Sequence, residues 1–188
     1  MKRHLLTISI ICLTVLIVLF GDSSYTSVCS KSASHYEIKA AFLIKFTDFI
    51  KWPETAFKDE PNHFVLGILG KNVFQHMLDP FVGKIIQERP FKIKYFNGIE
   101  KISDISGIQM LFVSQSEAPH FQKIFDTIDT TGMLTISDTP GFIRYGGTIA
   151  FVNQGKRISF EINRVSEKRA GLKISSDLLQ LATHVYRK

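Results

Sequence analysis

Six histidines, His4, His35, His63, His76, His120 and His184, are the first candidates for metal or acid–base chemistry, and no two lie within five residues of each other. Sequential zinc spacing is absent, so a metal site would need His and carboxylates gathered from distant elements. The stretch Gly67-Ile68-Leu69-Gly70-Lys71-Asn72 falls at an expected strand-to-helix junction, where backbone N–H groups can hold an anion. It lacks the spacing and the Ser/Thr of a Walker loop and is not G-x-G-x-x-G, and a glycine turn closing a strand accounts for it. Ser, His and Asp are present without a G-x-S-x-G elbow, and Ser175-Ser176-Asp177 reads as a helix cap. Glu161 has no sequence partner for a paired-carboxylate mechanism. No catalytic residue, metal or cofactor is therefore expected. Two local features stand out for contact. Phe160-Glu161-Ile162-Asn163 sets an acid opposite two apolar neighbours before Arg164 ends the strand. Phe142-Ile143-Arg144-Tyr145-Gly146-Gly147 places aromatics and a cation in a short loop, a common way to present contact residues from a rigid scaffold.

The elements that would position these residues alternate. From Tyr36 to Lys51, Ile38, Phe42, Leu43, Phe46, Phe49 and Ile50 share one helical face, Lys39 snorkels at its margin, and Pro53 stops the helix at Trp52. Phe64 to Leu69 is a continuous apolar run closed by Gly70, a buried strand, and Asn72 caps a helix expected through Val82. Phe91 to Tyr95 alternates as a half-buried strand with lysines guarding an edge. Met110 to Val113 and Met133 to Ser137 are further short strands, with a helix from Pro119 to about Ile128 between them. Thr148 to Val152 and Arg157 to Ile162 flank Asn153-Gln154-Gly155-Lys156, a hairpin loop in length and composition. A short helical piece ends near Gly171, and a last helix carries Leu178, Leu181, Ala182 and Val185 on one side. The expected class is α/β: a mixed, largely parallel sheet with helices on both faces and a C-terminal antiparallel hairpin.

Composition bounds the rest. The 188 residues, 45% hydrophobic with 16 Phe, suffice for one domain with its own core and exclude a disordered chain. Lys2 and Arg3 precede Leu5 to Phe20, sixteen residues without a formal charge, which reads as an export signal over residues 1–34 or, if uncut, a retained anchor. Ser27-Val28-Cys29 and Ser32-Ala33-Ser34 are the better cleavage candidates. A cut after Ser34 leaves 154 residues without cysteine, hence without disulfides. The formal charge of +6 drops to +4 over residues 35–188, with no run of like charges, so no nucleic-acid binding is expected.

Tyr36-Glu37-Ile38-Lys39-Ala40-Ala41-Phe42-Leu43, running on to Trp52-Pro53, is similar to the opening helix of the YfiR/HmsC family of exported bacterial proteins. Gly146-Gly147-Thr148-Ile149, Ile158 to Asn163 and Ala170 to Ala182 resemble, in order, that family's hairpin, its F-E-I-N strand end and its G-L-x-I-S-S-x-L-L-x-L-A tail. The resemblance covers about Tyr36 to Val185. It implies a periplasmic, non-enzymatic regulator with a compact α/β fold, which binds the periplasmic sensor domain of an inner-membrane diguanylate cyclase and keeps it inactive. It also implies that an outer-membrane, peptidoglycan-associated lipoprotein sequesters the regulator, and that a homodimer forms. The absence of cysteine after Cys29 argues against the disulfide control of some relatives. Trp52, Phe142, Arg144, Glu161, Asn163 and Arg164 combine aromatic or charged character with element ends and form the expected partner-binding set. The alternative is a small-ligand sensor with its pocket near Gly70 and Ser114; a hydrolase ranks third.

Overall fold

The computed structural model describes residues 26–155 and 157–188, with side chains from His35 onward. Residues 1–25, most of the stretch read as an export signal, and Lys156 of the hairpin loop lie outside the described residues, and both candidate cleavage sites fall within helix α1 (Thr26–Phe49). Among the described residues no helix is long and apolar enough to cross a membrane.

From Tyr36 on, the chain forms one unit. Its strands are β1 (Ile50–Lys51), β2 (Phe64–Leu69), β3 (Ile85–Ile86), β4 (Arg89–Phe96), β5 (Met110–Val113), β6 (Leu134–Ser137), β7 (Ile149–Gln154), β8 (Arg157–Asn163), β9 (Lys173–Ile174) and β10 (His184–Tyr186). Helices α2 (Phe121–Thr127), α3 (Arg164–Arg169) and α4 (Ser176–Leu181) are short. Eight strands build the main sheet in the order β10-β8-β7-β6-β5-β2-β4-β3. Pairing is parallel from β7 through β4 and between β10 and β8, and antiparallel in the β7–β8 hairpin and the β3–β4 edge. β1 and β9 pair separately, Ile50 opposite Ile174.

The alternation of side chains along each strand makes two cores. Leu66, Ile68, Phe112, Ile136, Phe151 and Phe160 face α1, whose Leu43 and Phe46 are buried among them with Ile50 of β1. Val65, Leu69, Leu111 and Val113 face the other way, under Phe121 and Ile124 of α2 and under Phe142 and Ile143. Helices thus cover both faces, as the alternating pattern requires.

Three elements differ from expectation. No helix follows Asn72: its side-chain oxygen accepts from the Phe74 and Gln75 N–H groups and closes a local turn, and the segment ends in a single 3-10 turn, Asp79–Phe81, before Gly83. The last helix stops at Leu181, which is 65% exposed. Thr183 then hydrogen-bonds the Phe160 carbonyl, and β10 takes the open edge of β8. On α1 the buried stripe runs through Lys39, Ala40, Leu43, Phe46 and Thr47, which leaves Ile38 exposed and sinks Lys39 instead of letting it snorkel.

Candidate functional site

A sheet in which β5 and β4 lie on either side of β2 has a topological switch at the carboxyl ends of β2 and β5, the place where such folds usually leave a crevice. Here it is filled. The Ser114 hydroxyl is fully buried and donates to the Lys71 carbonyl (2.6 Å). A Cβ on Gly70 would stand 2.4 Å from Ser116 Oγ and 2.7 Å from Glu117 Oε1. The pocket expected near Gly70 and Ser114 is therefore displaced: side chains of the following 3-10 turn, Gln115–His120, occupy it.

The open cleft lies two strands further along, where β7 and β8 run past the end of β6. It encloses about 790 Å³, with Asp138, Thr139 and Arg144 on the wall formed after β6, and Asn153, Glu161 and Tyr186 on the hairpin side. Asp138 is held by Lys39 Nζ at 2.6 Å, the two side chains being 7% and 5% exposed. The same ammonium stands 4.4 Å from the centre of the Tyr36 ring. Burial first, and then the adjacent Asp138 carboxylate, push the Tyr36 hydroxyl up to about 12. Glu161 accepts a hydrogen bond from the Tyr186 hydroxyl at 3.2 Å. Tyr186 is raised by partial burial and by Glu161, against the opposing pull of Arg144. Thr139 also lines this wall, with its Oγ1 buried and without a hydrogen-bond partner among the described residues.

The turn Phe142–Tyr145 reaches the cleft through two glycines in the left-handed region, Gly141 at φ 83° and Gly146 at φ 107°. Between them the chain makes one 3-10 turn, which buries Phe142 and Ile143 and exposes Arg144 and Tyr145. Phe142 has no exposed surface. It packs edge-on against Phe121 with centroids 5.1 Å apart and against Phe125 at 5.4 Å. The same geometry makes it a support for the turn and takes it off the contact surface.

Asn163 also works from beneath. Its side-chain oxygen accepts from Val165 N (2.9 Å) and Ser166 N (3.2 Å), capping α3, while Nδ2 donates to the Ile143 carbonyl (3.3 Å) and ties the turn to β8. Arg164 lies against the buried Glu167 carboxylate, off the hydrogen-bond axis, and Glu167 also accepts from Ile174 N at 2.9 Å. Trp52 stands apart: its Nε1 donates to the Gln109 carbonyl (2.9 Å) and its ring meets Phe64, at the amino ends of β5 and β2. The structure therefore brings Arg144, Glu161, Asn163 and Arg164 to one side, above Phe142, and leaves Trp52 at the opposite end of the strands. Tyr145, 45% exposed beside Arg144, and Tyr186 belong with the site and were absent from the expected set. Tyr145 was within the aromatic loop read from sequence; Tyr186 was hidden by the helical spacing that precedes it.

Chemically the cleft offers one cation, two carboxylates already partnered, amides and hydroxyls, a set suited to binding. Among the described residues no group of three or more His, Cys, Asp or Glu side chains is close enough to hold a metal ion.

Among curated proteins none matches the sequence. Among solved structures, the fold is similar to a conserved domain protein from Vibrio cholerae O1 biovar El Tor, at a TM-score of 0.51 and 9% identity over 70% of this chain. The chain spans 58% of that protein's length, and the likeness concerns the fold alone. The YfiR/HmsC-like family model matches residues 36–183, nearly the whole of the α/β unit with the hairpin, the capped α3 and the Ser175-capped α4. The chain belongs to the YfiR/HmsC-like family.

Proposed function

We propose that this protein is an exported regulatory binding protein that represses an inner-membrane diguanylate cyclase through the cyclase's periplasmic sensor domain, lowering cytoplasmic cyclic di-GMP and biofilm formation. Membership of a family of periplasmic regulators over residues 36–183 is the observation that carries this reading. The site supports it. The exposed pair Arg144–Tyr145 on a glycine-bounded turn, flanked by Glu161 and Arg164, has the aromatic and arginine character of interface anchors, braced from below by Phe142 and Asn163. Trp52 would serve only as a second contact region at the far end of the strands. Repression works by population shift: the protein binds the inactive sensor conformation more tightly than the active one, and the affinity ratio sets the maximum repression. An outer-membrane, peptidoglycan-associated lipoprotein competing for the regulator, and a homodimer, complete the proposed partners.

The test is cyclic di-GMP in a deletion strain complemented with the full chain or with Arg144→Glu/Tyr145→Ala. Native chain lowers the nucleotide, and the variant, exported in equal amount with an unchanged melting temperature, does not. Equal repression by both removes the turn from the interface, and no effect of the deletion refutes the reading.

A second reading has its own support in the 790 Å³ cleft with the exposed polar side chains of Arg144 and Asn153 in its wall: a small-ligand sensor. Saturable thermal stabilisation by one class of metabolite, lost in Asn153→Ala, would establish it. A flat response across amino acids, vitamins and wall fragments would exclude it.

A further inference from the structure

The surplus charge of the unit is confined to its last segment. Residues 35–163 hold fourteen Lys and Arg against fourteen Asp and Glu, whereas residues 164–188 hold six against two. No run of cations is visible, because Arg164, Lys168 and Arg169 are separated in sequence from Arg187 and Lys188. Strand pairing reunites them. β10 lies parallel to β8 with Tyr186 opposite Asn163, so both strands leave the sheet at the same level and in the same direction. That sets Arg187 and Lys188 beside α3.

Two concavities border α3. One, about 430 Å³, has Arg144, Arg169 and Lys188 in its wall and no acidic side chain. The other, about 180 Å³, is lined by Arg164, Lys168 and Arg187 alone. Of these six cations only Arg164 has a carboxylate within 4 Å among the described residues. Holding five uncompensated cations together opposes folding through their mutual repulsion, which an anionic partner would relieve. Four of the six are arginines, whose planar forks match phosphate oxygens. Tyr145 and Val165, 45% and 38% exposed, stand beside the cations as an aromatic and an aliphatic contact. Cations with an interfacial aromatic and an exposed aliphatic side chain are the composition of a surface that rests on anionic lipid, and the clefts are of head-group size, too small for a folded loop of an acidic protein.

We propose that the face formed by α3, the residues after β10 and Arg144 docks on an anionic phospholipid surface, taking head-group phosphates into its two basic clefts. The face shares Arg144, Arg164 and Tyr145 with the proposed cyclase contacts, so its test turns on Lys168, Arg169 and Arg187, which are not among them.

The test uses protein recovered from the periplasmic fraction and vesicles of equal parts phosphatidylglycerol and phosphatidylcholine against pure phosphatidylcholine, with binding followed by co-sedimentation. Binding should be confined to the anionic vesicles and weaken as salt is raised. Lys168→Glu/Arg169→Glu/Arg187→Glu should lower the partition coefficient at least roughly a hundredfold. Lys51→Glu/Lys92→Glu/Lys123→Glu makes the same change of net charge at exposed positions elsewhere and should lower it far less. Circular dichroism and melting temperature establish that each variant is folded. Absence of binding to anionic vesicles, equal losses in the two variants, capture of free inorganic phosphate without vesicle binding, or capture of a polyglutamate peptide in place of vesicles would each overturn it.

Discussion

Phe142→Ala separates a core residue from a contact residue. The ring is fully buried, boxed by Phe121 and Phe125, and it lies so close over Gly147 that a Cβ there would fall 2.2 Å from its Cδ1 and Cε1 atoms. Truncating such a ring costs about 3–5 kcal/mol. Against a total of about 5–15 kcal/mol for a domain, the variant still folds, with a melting temperature lower by roughly 6–20 °C. Gly147→Ala drives a methyl into the space the ring occupies, and overpacking of this kind costs about 1–3 kcal/mol. In the Phe142→Ala background the same methyl enters vacated space and should be neutral or stabilising. The two substitutions therefore couple by roughly 1–3 kcal/mol, with Gly147→Ala changing from harmful to harmless. Urea unfolding with linear extrapolation measures all four corners of the cycle. A cost below about 1 kcal/mol for Phe142→Ala, or additivity of the pair, would refute the packing argument.

Lys39→Met leaves Asp138 buried without its cation and should cost about 3–5 kcal/mol, while Lys39→Met/Asp138→Leu should recover most of it; equal losses in urea unfolding would mean that the pair is not electrostatically coupled. Asn163→Ala removes the cap of α3 and should cost about 1–2 kcal/mol; an unchanged unfolding midpoint would show that the two N–H groups find other partners. The Tyr36 hydroxyl, raised from 10.0 to about 12, keeps its proton in the folded state where the unfolded chain has lost it. Its contribution is fully present below pH 10 and is lost as the pH rises toward 12. Unfolding free energies measured across that window should fall less steeply for Tyr36→Phe, and identical slopes would exclude Tyr36 as their source.

The fold was legible where a short apolar run admits only one use. Phe64–Leu69, Met110–Val113 and Leu134–Ser137 are buried along their whole length, and the β7–β8 loop carries its own hairpin length and glycine. Misreadings occurred where local spacing fits two structures. Leu178, Leu181, Ala182 and Val185 satisfy a helical face, yet Thr183-His184-Val185-Tyr186 is also rich in strand-forming residues, and the open edge of β8 decides for the strand. Asn72 is a competent cap, but its oxygen serves a turn, and Gln75 adopts φ 49°, outside the helical region. The site was legible in part. Glycines around Phe142–Tyr145 marked the turn, but which of its side chains face inward depends on α2 and β8, neither of them adjacent in sequence. Lys39 looked like a snorkelling cation because its partner, Asp138, stands 99 residues away.

Arg144 gives the two clefts a common wall. Ile143, Arg144 and Tyr186 line both the polar cleft beyond β6 and the larger basic cleft beside α3. A guanidinium turned toward Glu161 on one side is withdrawn from an anion on the other, so two occupants that both bond Arg144 bind with negative coupling. Coupling of this kind is reciprocal: whatever lowers the affinity of one cleft by engaging the shared arginine is itself released by an occupant of the other. Tyr186 fixes where the exchange takes place, since its bond to Glu161 and its register opposite Asn163 hold the wall at the edge of the sheet. A protein that rests on lipid through the basic cleft and grips a partner through the Arg144–Tyr145 turn would thus exchange one attachment for the other through a single side chain.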